Sequence, residues 1–333
     1  MLLSICIPSY NRFEKLKETI DDILKATSND FEIVIVDNCS TDDIFNYINS
    51  EDSRLRIVQR DKPVYGAKNV GDAILYGRGV YSLLLLDKDT ILGEKLDAFI
   101  NVLSRSDVMG GYCVLNSKKE NIKITEKEAI EHFGFLSKHP SGNFYKIDPI
   151  RDYINKKAKL LEKAAFPFDT YLAYCASLGS MMYFDKPLVC SALADFSKDD
   201  NRGSLTFSKD AGNMYYFPEN RIDEFRLFAT CLDELVIDKK EKMDIFVSLY
   251  KRTVLYVSKG YREIMKNKDI CNHYHHRTED IGLKKMISFA LDFRRAFYDI
   301  QFNSINNVDK KQIERRVLKL MLFKKLMAKR SRL

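Results

Sequence analysis

The stretch Ser82-Leu83-Leu84-Leu85-Leu86-Asp87-Lys88-Asp89 places two aspartates directly after an almost purely aliphatic run. Such a run is typical of a strand that is buried on both faces of a parallel sheet. Carboxylates do not belong inside that strand, so Asp87 and Asp89 are expected at its carboxyl end, where open α/β sheets bind ligands. Two carboxylates one residue apart can both reach a hard divalent cation, the usual partner of a diphosphate. The stretch favours a metal-assisted nucleotide site, although Asp-x-Asp also occurs in ordinary solvated loops.

The residues before this stretch alternate between strand and helix patterns. Short strands are predicted at Leu3–Ile7, Phe31–Val36 and Arg56–Val58. Helical spacing of apolar residues follows Asn11, which forms a capping-box pattern with Glu14, and further helices are predicted from Ser40 or Thr41 through Ile48 and over Ala67–Tyr76. Strands and helices in alternation, joined by short connections, predict a doubly wound, mostly parallel sheet.

The rest of the chain divides into an irregular middle and a helical end. Loops or turns are predicted at Gly110-Gly111, His139-Pro140-Ser141-Gly142, Phe166-Pro167-Phe168 and Asp199 to Gly203, with a helix over Asp169–Leu178 and a strand over Met181–Phe184. After Pro218 the apolar spacing becomes helical, with helices expected over Ile222–Leu235, Met243 to about Ile264, and Ile281–Phe302. The sequence thus predicts a sheet-based body followed by an all-helical extension.

Composition narrows the class of protein. Hydrophobic residues make up 45% of the 333 residues, which is ample for a large core, and no apolar stretch approaches the ~20 residues of a membrane-spanning helix. Seven scattered cysteines without a Cys-x-x-Cys pair suit reduced thiols, so we expect a cytoplasmic protein. Residues 310–333 hold ten Lys or Arg and one Glu, which leaves about −2 for the other residues of a chain with net charge +7. A nearly neutral body argues against a nucleic-acid-binding protein.

Three of the predicted strand ends carry polar residues. They are Pro8-Ser9-Tyr10-Asn11, Asp37-Asn38-Cys39-Ser40-Thr41-Asp42 and Asp87-Lys88-Asp89. Because parallel strands place their carboxyl ends at one edge of the sheet, these groups should converge on one crevice. Each segment alone would also suit a turn, since Asn, Asp and Ser are ordinary turn residues.

These segments, together with Gly66-Ala67-Lys68-Asn69-Val70-Gly71, resemble the nucleotide-binding half of glycosyltransferase family 2, which has the GT-A fold. Their order and spacing match over roughly residues 1–105. Two positions differ: the family more often has Asp-Gly where this chain has Asn38-Cys39, and Arg where it has Lys68. The resemblance implies a GT-A domain over residues 1–217, with 1–105 as the nucleotide-binding half and 106–217 as the acceptor half. Residues 218–333 would then form the helical extension with its basic tail.

The resemblance also implies roles for individual residues. Asp37 would accept hydrogen bonds from the base or ribose of a nucleotide sugar, and Pro8, Ser9 and Tyr10 would form the pocket floor. Lys68 and Asn69 would lie near the phosphates. Asp87 would face the ribose and the metal, and Asp89 would ligate Mn²⁺ or Mg²⁺ directly. A divalent cation on the diphosphate stabilises the negative charge that develops on the leaving group.

A carboxylate downstream serves as the general base in this family, and Asp169 is the best positional match. Aromatic and proline-bounded surroundings could raise the pKa of Asp169 toward a useful value. An aspartate before a helix is also a common N-cap, and Asp148, Asp152 and Asp195 are rival candidates. The segment His139 to Gly142 is either a sugar- or acceptor-contacting loop or a plain turn.

The resulting expectation is an inverting, metal-dependent glycosyltransferase. It would move a sugar from a nucleotide donor, UDP-linked by preference, to a hydroxyl of a surface polysaccharide or lipid-linked glycan. The helical extension would shape the acceptor site or support a homo-oligomer, and the basic tail would hold the enzyme at the inner face of a membrane, unless it is a packed terminal helix. A sugar nucleotidyltransferase is disfavoured because no Gly-rich loop follows the first strand. A non-catalytic scaffold that keeps the fold is the third interpretation.

Overall fold

The computed structural model describes residues 1–42, 52–64, 66–113, 122–124, 126–136, 139–162, 164–184, 188–190, 216–273 and 276–330. Within these residues, 1–190 form one compact unit and 216–330 form a second. The predicted boundaries after residues 105 and 217 remain predictions. The predicted helix through Ile48, the predicted loop from Asp199 to Gly203, and Asp195 lie outside the described residues.

The first unit is built on an eight-stranded sheet with the order β3-β2-β1-β4-β8-β6-β9-β7. Its strands are β1 Leu3–Ser9, β2 Phe31–Asp37, β3 Leu55–Gln59, β4 Tyr81–Leu84, β6 Gly110–Cys113, β7 Ile122–Ile124, β8 Asn143–Lys146 and β9 Met181–Phe184. Strands β3, β2, β1 and β4 are mutually parallel, β6 and β9 pair in parallel, and β8 and β7 run against their neighbours. A separate antiparallel pair joins β5 Thr90–Ile91 to β10 Val189–Cys190. The predicted mostly parallel sheet is confirmed.

Helices cover this sheet and bury its apolar residues. They are α1 Phe13–Ile23, α2 Gly66–Ala73 with a 3₁₀ turn at Ile74–Tyr76, α3 Gly93–Ser104, α4 Glu126–Phe133, α5 Ile147–Leu161 and α6 Pro167–Leu178. Helix α1 buries Leu16, Thr19, Ile20 and Ile23, the spacing of one helix face. The core on that side of the sheet continues through the edge-to-face rings of Phe99, Phe144 and Phe184.

Three local predictions were wrong. Pro167 and Phe168, which were expected in a loop, form the start of helix α6. Gly110-Gly111 lies in strand β6 and not in a loop. Glycine is needed in this strand because the neighbouring backbone leaves no room for a side chain: a Cβ on Gly111 would lie 1.9 Å from the Met182 carbonyl oxygen. Asn11 does not cap α1, which begins at Phe13 without a capping side chain at Arg12. The Asn11 side-chain oxygen instead accepts a hydrogen bond from the Thr41 backbone N–H at 2.8 Å. At the start of α1, the Asp42 carboxylate accepts a hydrogen bond from the Phe13 N–H at 2.8 Å.

Among the described residues of the second unit, every element of regular secondary structure is a helix, as predicted. Its helices are α7 Pro218–Glu234, α8 Lys239–Leu255, a π-helical turn Tyr256–Gly260, α9 Tyr261–Lys266, α10 Lys268–His273, α11 Leu283–Asp299 and α12 Asn307–Arg330. Aromatic rings from α7, α8 and α11 form much of its interior, with Phe225, Tyr250, Phe293 and Phe297 in mutual contact. Within the described part of the chain, no helix combines the length and apolar character needed to cross a membrane.

The basic tail is partly packed against this second unit. Ile313 and Val317 on α12 are buried, and the buried Lys310 ammonium donates to the backbone oxygens of Tyr298 at 2.9 Å and Ile300 at 2.7 Å. Burial lowers the pKa of Lys310. Leu318 and Leu320, further along the helix, are exposed. The first turns of the tail therefore form the packed terminal helix that was one of the two predicted alternatives.

Candidate active site

The carboxyl ends of β1 and β2 meet in register, which brings the first two polar segments together. Ser9 on β1 is the Cα partner of Asp37 on β2, and the Asn38 N–H donates to the Ser9 carbonyl oxygen at 2.9 Å. Asp37 is fully buried, and its carboxylate accepts the Ser40 N–H at 3.1 and 3.2 Å from its two oxygens. The Asn11 N–H donates to the Ser40 hydroxyl at 2.9 Å. The loops after these two strands thus form one hydrogen-bonded structure.

Asp87 joins this structure from the end of β4. Its Oδ2 accepts the Tyr10 N–H at 3.4 Å, and its Oδ1 lies 3.5 Å from Nε of Arg12. Burial raises the pKa of Asp87 to about 6, against the opposing effect of Arg12 and with a further rise from Asp89. Two residues that the sequence assigned to the nucleotide pocket, Tyr10 and Asp87, are therefore in direct contact.

Asp89 is fully buried and is held by the predicted loop from His139 to Gly142. Its Oδ2 lies 2.5 Å from Nε2 of His139 and also contacts the Ser141 hydroxyl. Because an ionised carboxylate can only accept a hydrogen bond, Nε2 of His139 must carry the hydrogen and donate it to Asp89. The backbone oxygen of Asp89 accepts from the Thr19 hydroxyl at 3.1 Å. The sequence singled out this loop but gave no signal that it contacts Asp89.

Lys68 and Asn69 lie on α2 in a charged cluster that includes a residue the sequence did not indicate. The Lys68 ammonium donates to Asp72 at 2.8 Å, and Nε of Arg60 donates to the Asn69 side-chain oxygen at 2.7 Å. Arg60 is tied to the pocket by its backbone, since its N–H donates to the Asp37 carbonyl oxygen at 3.0 Å. The cluster thus places two cationic side chains near the end of β2.

Asp169, the predicted base, lies in the first turn of α6 and is fully buried. Its charge raises the pKa of the buried Tyr145, after the larger effect of burial. The pKa of Tyr112 rises to about 12, chiefly through burial, and both Asp89 and Asp169 add to that rise. Tyr112 therefore lies within the electrostatic reach of both carboxylates. The rival candidates Asp148 and Asp152 are exposed on α5.

The two carboxylates of the Asp-x-Asp segment suit a hard divalent cation, which proteins often hold through one or two carboxylates while substrate phosphates complete the coordination. Among the described residues, no group of three or more His, Cys, Asp or Glu side chains is arranged to hold a metal. The two carboxylates therefore fit a cation that arrives with a diphosphate.

The fold and this strand-edge site define a glycosyltransferase domain of the GT-A class. The structure of TarS from S. aureus matches with a TM-score of 0.60 and 16% identity, over 90% of this chain and 50% of that one. Its 1–349 fragment in complex with UDP matches with a TM-score of 0.57 and 15% identity, over 91% of this chain and 97% of that one. Residues 4–165 match the family model described as "Glycosyl transferase family 2". This part of the chain is a glycosyltransferase family 2 domain, which confirms the predicted family.

Curated relatives match part of the chain. The UDP-Glc:alpha-D-GlcNAc-diphosphoundecaprenol beta-1,3-glucosyltransferase WfgD of Escherichia coli is 28% identical over 122 residues, which is 35% of this chain and 47% of that protein. The glycosyltransferase GlyG of Streptococcus pneumoniae serotype 4 is 32% identical over 100 residues, 28% of this chain and 32% of that protein. The chain spans less than half the length of these curated relatives.

Proposed function

We propose that the protein transfers a sugar from a UDP-linked donor to a hydroxyl group of a surface polysaccharide or lipid-linked glycan, with inversion at the anomeric carbon. The observation that carries this proposal is the contact network around Asp37, Asp87 and Asp89 at the strand ends of a family 2 domain. The name of the relative WfgD, with a UDP-linked donor and a lipid-diphosphate acceptor, supports the donor and acceptor classes.

The residues divide the proposed work between binding and proton transfer. Asp37, with Pro8, Ser9 and Tyr10, would hold the nucleoside, and Lys68 and Asn69 would lie near the phosphates. Asp87 and Asp89 would hold Mn²⁺ or Mg²⁺. When bound, the cation would stabilise the charge on the departing diphosphate.

Asp169 would accept the proton of the acceptor hydroxyl as its oxygen bonds to the anomeric carbon and the bond from that carbon to the diphosphate oxygen breaks. The charges of Asp169 and Asp89 both raise the pKa of Tyr112, after the larger effect of burial, which supports this role because the base and the metal ligand must flank the same sugar. Asp169 is fully buried, so its carboxylate is shielded from bulk water.

The test is a release assay with a panel of nucleotide sugars, with and without Mn²⁺. Asp89→Asn should abolish Mn²⁺-dependent UDP release while the protein stays folded, and Asp169→Asn should keep Mn²⁺-dependent UDP binding while losing turnover. Asp107→Asn is the matched control, because the Asp107 side chain is 93% exposed. Undiminished turnover in Asp89→Asn would reject the metal role.

The same assay separates the alternatives. Release of pyrophosphate would indicate nucleotidyl transfer, whereas release of UDP indicates glycosyl transfer. A protein that neither binds UDP with Mn²⁺ nor hydrolyses any donor would be a scaffold. The helical extension is proposed to bind the acceptor or to mediate self-association. Acceptor binding is tested by the same donor panel with an acceptor glycan added, and self-association by measuring the mass of the protein in solution.

A further inference from the structure

We propose that His139 and Ser141 are positioning residues that fix the carboxylate of Asp89 for the cation and its diphosphate. This inference rests on the proposed function. It assigns the loop from His139 to Gly142 a role within the metal site, in place of the sugar-contacting loop or plain turn that the sequence left open.

Both side chains act on the same carboxylate oxygen. Nε2 of His139 lies 2.5 Å from Oδ2 of Asp89, and the Ser141 hydroxyl contacts that oxygen too. Two partners on one oxygen fix the rotation of the carboxylate about its side-chain bonds, which a single partner would not do. Asp89 has no exposed surface, whereas the His139 side chain is 33% exposed. His139 therefore connects the buried carboxylate with the solvent-exposed surface.

Ser141 is itself fixed in place by the backbone. Its hydroxyl oxygen accepts the Leu86 N–H at 2.9 Å, so the hydroxyl hydrogen remains for Asp89. Leu86 directly precedes Asp87, so the same hydroxyl contacts the backbone just before the Asp-x-Asp segment and the second carboxylate of that segment. The Ser141 hydroxyl thereby links the backbone of Leu86 to the side chain of Asp89.

The loop is anchored to the sheet on two sides. The Gly142 N–H donates to the Leu84 carbonyl oxygen on β4 at 2.9 Å, and the Gly142 carbonyl oxygen accepts the Cys113 N–H at 2.8 Å, beside β6. Gly142 has φ +92°, and a Cβ at this position would lie 2.5 Å from the Cys113 carbonyl oxygen. Only glycine meets both requirements. These backbone contacts hold the loop against two strands of the sheet, which is the support that a positioning group needs.

The expected effect is on the affinity for the metal. Hydrogen-bond partners of metal-ligating groups set the orientation of the ligand, and their removal typically weakens metal binding by about 10- to 100-fold. We expect His139→Ala and Ser141→Ala to raise the Mn²⁺ concentration that gives half-maximal UDP binding by about this factor. His139→Gln keeps an N–H donor and should recover part of the loss. At saturating Mn²⁺, kcat should return close to the wild-type value, since neither residue touches the reacting atoms.

The experiment titrates full-length protein with UDP by calorimetry at a series of Mn²⁺ concentrations. His132→Ala is the matched control, because His132 is an exposed histidine on α4. Ser141→Ala removes a single oxygen atom, so it tests the proposal even where His139→Ala lowers the yield of folded protein. Unchanged Mn²⁺ dependence in both alanine variants would overturn this inference alone. A wild-type protein that does not bind UDP with Mn²⁺ would overturn the proposed function and this inference with it.

Discussion

Asp87→Asn should stabilise the metal-free protein at neutral pH while it removes Mn²⁺-dependent nucleotide binding. Asp87 carries a charge in a desolvated position, where its carboxylate has Arg12 at 3.5 Å and the Tyr10 N–H at 3.4 Å as partners. These two contacts do not offset the loss of water, since burial still raises the pKa of Asp87 to about 6. Asparagine resembles the protonated acid in shape and keeps an acceptor for Tyr10, so it avoids the cost of the buried charge.

The magnitude follows from the pKa. A folded-state pKa of about 6, against an ordinary value of 3.8, means that ionisation costs the folded state about 3 kcal/mol at 1.36 kcal/mol per pH unit. Below pH 3.8 the acid is protonated in both states and this cost is absent. As the pH rises toward 6, the unfolded chain ionises first, so stability is lost across this window and stays lost above it. Arg12 loses a partner in the variant, so we expect a net gain of about 2 kcal/mol at pH 7.5.

The assay is chemical denaturation in EDTA at pH 7.5 and at pH 4, with wild type, Asp87→Asn and the exposed control Asp107→Asn compared at each pH. The denaturation midpoint of Asp87→Asn should exceed that of wild type at pH 7.5, and the difference should shrink at pH 4. A variant that is less stable than wild type at pH 7.5, or a difference that does not depend on pH, would refute the argument that desolvation dominates at Asp87.

Two further predictions concern the loop after β2 and the tail. Cys39 has φ +64°, a backbone conformation that favours glycine and disfavours β-branched residues. Cys39→Gly should therefore raise the free energy of unfolding by up to about 1 kcal/mol, and Cys39→Val should lower it by about 2 kcal/mol, as measured by chemical denaturation. A valine variant more stable than the glycine variant would contradict this argument. Replacement of Lys319, Lys324 and Lys325 by Gln should weaken binding of the full-length protein to phosphatidylglycerol vesicles by roughly 100-fold, at about 1 kcal/mol per charge, in a sedimentation assay with neutral vesicles as the control. Equal binding to both kinds of vesicle, or no loss in the variant, would count against a membrane role for the tail.

The parts of the fold that could be predicted from the sequence are those that depend on local pattern. The bounds of strand β2 were predicted within one residue, because its run of β-branched residues ends at a polar residue, Asp37. Helix α7 was predicted from the spacing of its apolar residues, and the strand at Met181–Phe184 from its place between predicted loops. The fold class followed from the order of these elements and not from any one of them.

The parts that could not be predicted depend on contacts between distant residues. His139 and Asp89 are 50 residues apart, and nothing in the spacing of either indicates that they touch. Asn11 stands where the sequence predicts a helix cap, but its side-chain oxygen accepts a hydrogen bond from the backbone N–H of Thr41, thirty residues away, instead of capping the helix. Gly110-Gly111 looks like a turn until the neighbouring strands are in place, where their backbones exclude any side chain. Local propensity was overridden in each case by tertiary contact.

The two departures from the family pattern are each met by contacts elsewhere in the fold. Asn38, at the position of the usual aspartate, forms a pair of hydrogen bonds with the Val64 backbone, at 2.9 and 3.0 Å. Lys68, at the position of the usual arginine, lacks a planar fork, but Arg60 brings a guanidinium to within 3.5 Å of the same partner, Asp72. The Arg60 N–H donates to the Asp37 carbonyl oxygen, so the backbone of Arg60 is held at the end of β2 beside the proposed nucleotide-binding residue Asp37. The departures therefore preserve both the loop connection and the local positive charge, which is why they do not argue for a scaffold that has lost its ligand.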